Sequence, residues 1–214
     1  MTPRLIFLAL AVCNGMIHAE IIDKIAISVG NQVITEEQVT EEVRVTQFLN
    51  QVPVDLSAAE KKKAAERLVE QTLIRREMDF SRYPLPQMNE SGDLYDKVRS
   101  RYPSDAAFRE DLSRYGITDD DLRRHVWWQL TTLRFIEYRF RPAVQIAERD
   151  LKEYYQQHLA EWQKNGAQPV PPYEESREKI QEILTSQHVD QALDKWLTDA
   201  RTQVDIRYRK GALQ

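Results

Sequence analysis

The stretch from Thr118 to Trp162 constrains this chain more than any other part of it. Thr118 is placed to cap a helix whose first turn is Asp119, Asp120 and Asp121, carboxylates set where the helix dipole favours negative charge. Leu122, Val126, Leu130, Leu133, Ile136 and Phe140 then recur at spacings of three and four, which predicts one apolar stripe along a long helix. Arg141-Pro142 predicts its end, because proline lacks the donor and crowds the preceding turn. A second helix is expected beyond it, with Leu151, Tyr154, Tyr155, His158, Leu159 and Trp162 on its apolar face. The first of these helices carries more apolar surface than one stripe uses. Trp127, Trp128, Phe135 and Tyr138 fall beside the seam or opposite it, so either other segments cover them or they form an adhesive surface for a partner.

The N-terminus has a different character. Arg4 precedes the apolar run Leu5 to Val12, and a polar-tinged stretch closes on Ile17-His18-Ala19-Glu20. A short positive region, an apolar core too short to span a bilayer and a small residue at the cleavage point predict an export signal over residues 1–19. The alternatives are an uncleaved anchor and a lipid anchor on Cys13, the latter weakened by Val12 just before the cysteine. Cleavage would remove Cys13, the only cysteine, and with it any disulfide or thiolate-bound metal. The exported chain would make no stable membrane insertion, and packing alone would have to stabilise it, which 214 residues allow.

Between the termini the pattern is helical. Ile25, Ile27 and Val29 alternate with Lys24, Ala26 and Ser28 as in a strand, Gly30-Asn31 suits a tight turn, and Val33-Ile34 suits a short return strand. Thr35 with Gln38, and Ser57 with Glu60, have capping-box spacing and predict helices to about Asn50 and Phe80. A weaker helix is expected over Asp93 to Tyr102. A short one carrying Phe108 and Leu112 should end at Gly116. Gln163 to Pro172 reads as a linker, and a last helix from Tyr173 to about Ala200 leads into Val204, Ile206 and Tyr208 at strand spacing. One strand needs a partner. The two ends of the chain are therefore expected to meet in a small sheet around a mainly α body.

Few residue patterns here support chemistry. His125, His158 and His188 fall on three different predicted helices, with no pair spaced to place two metal ligands on one helix face. No glycine-rich phosphate loop and no Gly-x-Ser-x-Gly elbow occurs, so neither ATP nor another cofactor is called for. The acid pairs sit at helix starts, where capping explains them. A net charge of −4 with no basic stripe argues against nucleic acid, and Lys61 to Lys63 read as a solvated face.

Several segments in order resemble SurA-type periplasmic chaperones. Ile21 to Thr35, with Val29-Gly30-Asn31-Gln32-Val33-Ile34-Thr35, is similar to the family's entry into its first helix. Phe108 to Gly116, followed by Ile117-Thr118 and the long helix, resembles its short helix and glycine before the main helix. Val144-Gln145-Ile146 and Glu148 to Tyr155 resemble the point where the helical module leads into a parvulin prolyl isomerase domain. Pro172 to Ile180 and Trp196 to Ile206 resemble the returning segment. The resemblance implies a SurA/trigger-factor-like helical module over residues 20–162, a linker at 163–172 in place of the isomerase domain, and a C-terminal helix and strand over 173–214 packing back on it. A parvulin domain needs on the order of a hundred residues. Only nine residues lie between Trp162 and Pro172, so isomerase activity is not implied.

The expected function is ATP-independent binding of unfolded or nascent envelope polypeptides by an exported, periplasmic protein. The candidate peptide-binding residues are Phe48, Leu49, Trp127, Trp128, Phe135 and Tyr138, with core packing as the competing assignment for the large aromatic ones. On the binding reading, serine at Trp128 and Phe135 should weaken binding and leave helix content intact. Two rivals stand beside it: a retained prolyl isomerase, and an adaptor for one folded envelope partner.

Overall fold

The structure, a computed structural model, describes residues 23–164 and 171–214. The expected export signal with Cys13 and His18, positions 165–170 of the linker, and the Trp162 side chain lie outside the description. The elements are β1 (Ile25–Val29), β2 (Gln32–Thr35), α1 (Glu36–Asn50), α2 (Ala58–Ser81), α3 (Gly92–Arg99), α4 (Asp105–Tyr115), α5 (Asp119–Phe140), α6 (Glu148–Lys164), α7 (Tyr173–Gln203) and β3 (Ile206–Tyr208). The protein is mainly helical, with one small antiparallel sheet.

The two ends of the described chain meet in that sheet. β1 lies between β2 and β3 and runs antiparallel to both, with Val29 opposite Ile206 and Ile27 opposite Tyr208. The Gly30 N–H donates to the Asp205 carbonyl and the Arg209 N–H to that of Ala26, which extends the pairing beyond the short third strand. Ile25 faces Thr35 and Ile27 faces Ile34, so Ala26 is an additional residue in the register. Such a bulge breaks the alternation. Ala26 and Ile27 are consequently both buried and Ile25 turns outward, against the expectation of one face shared by Ile25, Ile27 and Val29. Val204 caps α7 instead of starting the strand, and the helix runs three residues past Ala200.

Gly30 carries the hairpin. Its φ is +59°, and a Cβ built there would meet the Arg76 Nη1 at 2.4 Å. Gly30→Ala is expected to cost about 1–2 kcal/mol from the left-handed backbone alone, with displacement of Arg76 adding to it. Gly211→Ala is the control, because a Cβ there has nothing within 4 Å at φ +85°. Urea denaturation of the two variants checks whether Gly30→Ala costs more.

The core has two parts, and α5 serves both. Leu122 and Val126 join Val45 and Phe48 of α1, Val98 of α3, and Phe108, Leu112 and Tyr115 of α4 in one cluster. Trp128 and Phe135 join the sheet, Val39 and Val43 of α1, Val69, Leu73, Ile74 and Met78 of α2, and Leu197 of α7 in the other. A helix turns about 100° per residue, so the face holding Trp128, Thr131 and Phe135 lies away from that of Leu122 and Val126. This corrects the single stripe: Leu133 is 58% exposed, while Trp128 and Phe135 are buried. Phe140 ends the helix against Trp196 of α7.

Of the two helices expected to dominate, only α5 is central. α6 leaves it through a 3-10 turn at Arg141–Ala143 and packs chiefly on the first half of α7, with Leu151 and Ile180 buried. Glu148 accepts from the Tyr173 hydroxyl and pairs with Arg177, pinning the base of this hairpin. Thr35 and Gln38 form the expected capping box, and Thr118 caps α5 reciprocally with Asp121. Ser57 departs from expectation: its side chain makes no cap bond, and Glu60 pairs with Lys63 instead.

Candidate functional site

The connection between α2 and α3 carries two outward apolar side chains, Leu85 and Met88. Arg82 caps α2 in the left-handed region, and the Tyr83 N–H returns to the Met78 carbonyl, which turns the chain back across α5. Pro84 and Pro86 keep Tyr83-Pro84-Leu85-Pro86 out of helix. The Tyr83 ring meets Phe135 edge-on at 5.2 Å and leans on Tyr138 at 5.3 Å. The Pro86 carbonyl accepts from the Trp127 indole N–H at 3.0 Å, and Glu90 pairs with Arg134. The segment is thus held to α5 at three places. Leu85 and Met88 on it are half-exposed, Met88 at the Trp127–Trp128 end, while Tyr138 beside Tyr83 is 64% exposed and Phe80 in the last turn of α2 is 86% exposed.

The six residues singled out from the sequence do not form one surface. Phe48 is 1% exposed and packs edge-on against Tyr115 and parallel to Tyr102, with Leu49 half-buried nearby. Phe135 is equally buried in the other cluster. Trp128 is buried beneath the Arg75 guanidinium, 4.4 Å above its ring, and its indole N–H has no hydrogen-bond partner among the described residues. These three are core, which corrects their assignment to an open groove. Trp127 is half-buried and anchors the segment, and Tyr138 alone is fully presented. Sequence reasoning missed Phe80, Tyr83, Leu85 and Met88. For Leu85 and Met88 the signal was present in apolar residues interleaved with or just after prolines, a pattern that keeps apolar side chains on an irregular and therefore exposed segment.

A polar junction lies under the Trp127–Trp128 end, lining a cavity of about 350 Å³. The buried Glu42 carboxylate accepts from Arg67 at 2.9 Å and from the Thr46 hydroxyl at 3.2 Å, and His125 Nδ1 lies 3.4 Å away. Burial pushes the Glu42 carboxyl upward, but the bonds and charges of His125 and Arg67 outweigh it and hold the group below its ordinary value. Its lone pairs are engaged, so the carboxylate serves as a brace joining α1, α2 and α5. A larger cleft of about 670 Å³ opens between α3, α4 and the start of α5, with Arg99, Arg109 and Arg123 at its walls.

Among the described residues no cluster of histidine, cysteine, aspartate and glutamate is placed to hold a metal ion, and no helix is long and apolar enough to cross a membrane. The site offers broad apolar area with few directional polar groups, an arrangement suited to holding a ligand. No protein-family model matches the chain, and no curated protein matches it either.

Proposed function

We propose that this protein binds non-native polypeptide, as an exported chaperone-like protein that uses neither ATP nor metal, through the strip formed by Phe80, Tyr83, Leu85, Met88 and Tyr138. The observation that carries the reading is the exposure of Phe80, Leu85, Met88 and Tyr138 on and around a segment that half-buried Tyr83 and Trp127 pin to α5. Clustered large apolar side chains on a surface mark interaction sites. A fixed platform loses little entropy when it binds, and a flexible methionine adapts to varied partners. Contacts that are apolar and undirected give weak, permissive binding, which suits many unfolded clients better than one folded partner. Envelope polypeptides in transit are the clients that the predicted export signal and the resemblance to SurA-type chaperones favour.

The test is suppression of aggregation for several unrelated unfolded proteins. The unaltered chain is expected to protect most of them, and the combined variant Phe80→Ser, Leu85→Ser, Tyr138→Ser to lose most of that protection. Its unfolding free energy should move by only about 0.5 kcal/mol per site, as for exposed positions generally. A chain that protects no client is an adaptor or something else, and an equally active triple variant places binding elsewhere. Catalysed isomerisation of a short proline peptide would favour the enzyme reading instead; no rate above background is expected.

A further inference from the structure

The cleft between α3, α4 and α5 has a composition that differs from the chain as a whole. The protein is net acidic at −4, yet this cleft is walled by three guanidinium groups against two carboxylates, Asp105 and Asp119. Both carboxylates are already engaged. Arg99 donates to Asp105 and its guanidinium sits 5.3 Å from the centre of the Phe108 ring. Arg123 donates to Asp119 at 2.6 Å and lies 3.7 Å over Tyr95, whose hydroxyl donates to the same carboxylate. Arg109 makes no hydrogen bond or ion pair among the described residues; its charge reaches Asp119 through space and helps hold that carboxyl below its ordinary value, so its N–H donors are the ones left open in the cleft. The floor is apolar, made by Phe108, Leu112 and Ile117. At about 670 Å³ the cleft falls within the roughly 300–1,000 Å³ range of ligand sites.

We infer that this cleft is a second binding site that receives a carboxylate carried on an apolar stretch of polypeptide, with Arg109 as its charge partner and Arg99 and Arg123 holding the walls. The site rests on the reading that the ligand is a polypeptide, and it adds selectivity to a strip that has none. Arginine suits this role because its planar fork bonds a carboxylate through two parallel donors, and the neighbouring guanidinium groups lie over aromatic rings.

Three labelled, N-acetylated octapeptides of alanine and leucine test it: one with a central glutamate and an amidated end, one with glutamine there and an amidated end, and one with glutamine and a free C-terminal carboxylate. The glutamate peptide is expected to bind at least about tenfold tighter than its amidated glutamine counterpart, the scale of a charge-assisted hydrogen bond. Arg109→Glu, an exposed substitution, should abolish that preference and leave the circular dichroism unchanged. A preference confined to the free C-terminus, and also lost in Arg109→Glu, supports the same site with a terminal carboxylate as its ligand. Equal binding of all three peptides, or a preference that survives Arg109→Glu, overturns the inference. The Phe80, Leu85, Tyr138 triple variant separates this result from the function proposed above, since it should weaken all three peptides alike without altering their ratio. Carboxylate selectivity without protection of any client would leave the cleft standing and remove the chaperone reading. Protection of clients without selectivity would do the reverse.

Discussion

Phe135→Ala is expected to lower stability by about 3–5 kcal/mol, the range for removing a fully buried aromatic ring. The side chain is 1% exposed and sits where α5 meets α2 and the sheet, with the Tyr83 ring edge-on against it. Its loss leaves a cavity directly beneath the strip, so the Tyr83-Pro84-Leu85-Pro86 segment should loosen along with the global loss of stability. Tyr138→Ala, one helical turn further on but 64% exposed, should change stability by only about 0.5 kcal/mol. Urea midpoints at unchanged slope give both values. Similar costs for the two variants would mean that Phe135 is not the buried member of the pair. The burial also argues against the expectation that serine at Trp128 and Phe135 would spare the helices, because either change leaves a cavity in the core where a large ring had been.

The sequence carried the local structure because local structure depends on neighbours in the chain. The Thr35 and Thr118 caps, the glycine after α4 and the proline after α5 each act within a few residues, and each stands where the spacing placed it. The meeting of the two ends followed from a different argument, that an unpaired strand is unstable and only one partner was available. Rotation of α5 was harder to read. Its residues can satisfy a three-four spacing along Leu122, Val126, Leu130 and Leu133, yet the helices around it approach from two sides, so burial switches faces near Trp128. Periodicity reports that a helix has an apolar side and cannot report that two different cores claim different turns. The bulge at Ala26 escaped for a similar reason, since an added residue in a register is set by the partner strand. The exposed strip was obscured because prolines signal a break, and a break says nothing about what the chain crosses afterwards. That Arg109 alone of the cleft arginines bonds no aspartate depends on which side chains meet in space, and charge counts along the chain do not resolve that.

Arg67→Met is expected to destabilise the protein by about 3 kcal/mol at neutral pH, the lower end for breaking a buried ion pair by removing one partner. The lower end applies because Arg67 keeps 37% of its side chain in solvent while Glu42 keeps 6%. The variant leaves the Glu42 carboxylate buried with only Thr46 and His125 nearby. The dependence on pH follows from the direction of the shift. The native carboxyl is held below its ordinary 4.5, so its contribution is present above about that pH and disappears as the pH falls through the lower, folded value. In the variant, burial acts with less opposition and the same carboxyl titrates higher. The gap in stability between the two proteins should therefore be widest near neutrality and shrink below about pH 4.5, where protonated Glu42 no longer needs a cation. Replacing Glu42 by leucine together with Arg67 by methionine should recover most of the loss, because an apolar pair of similar volume removes the charge that had to be compensated. Urea titrations across pH on the three proteins distinguish this from simple packing. A gap that stays constant from neutral to acid would assign the role of Arg67 to its methylene stem lying between α1 and α2, and the junction would then hold its helices by contact instead of by charge.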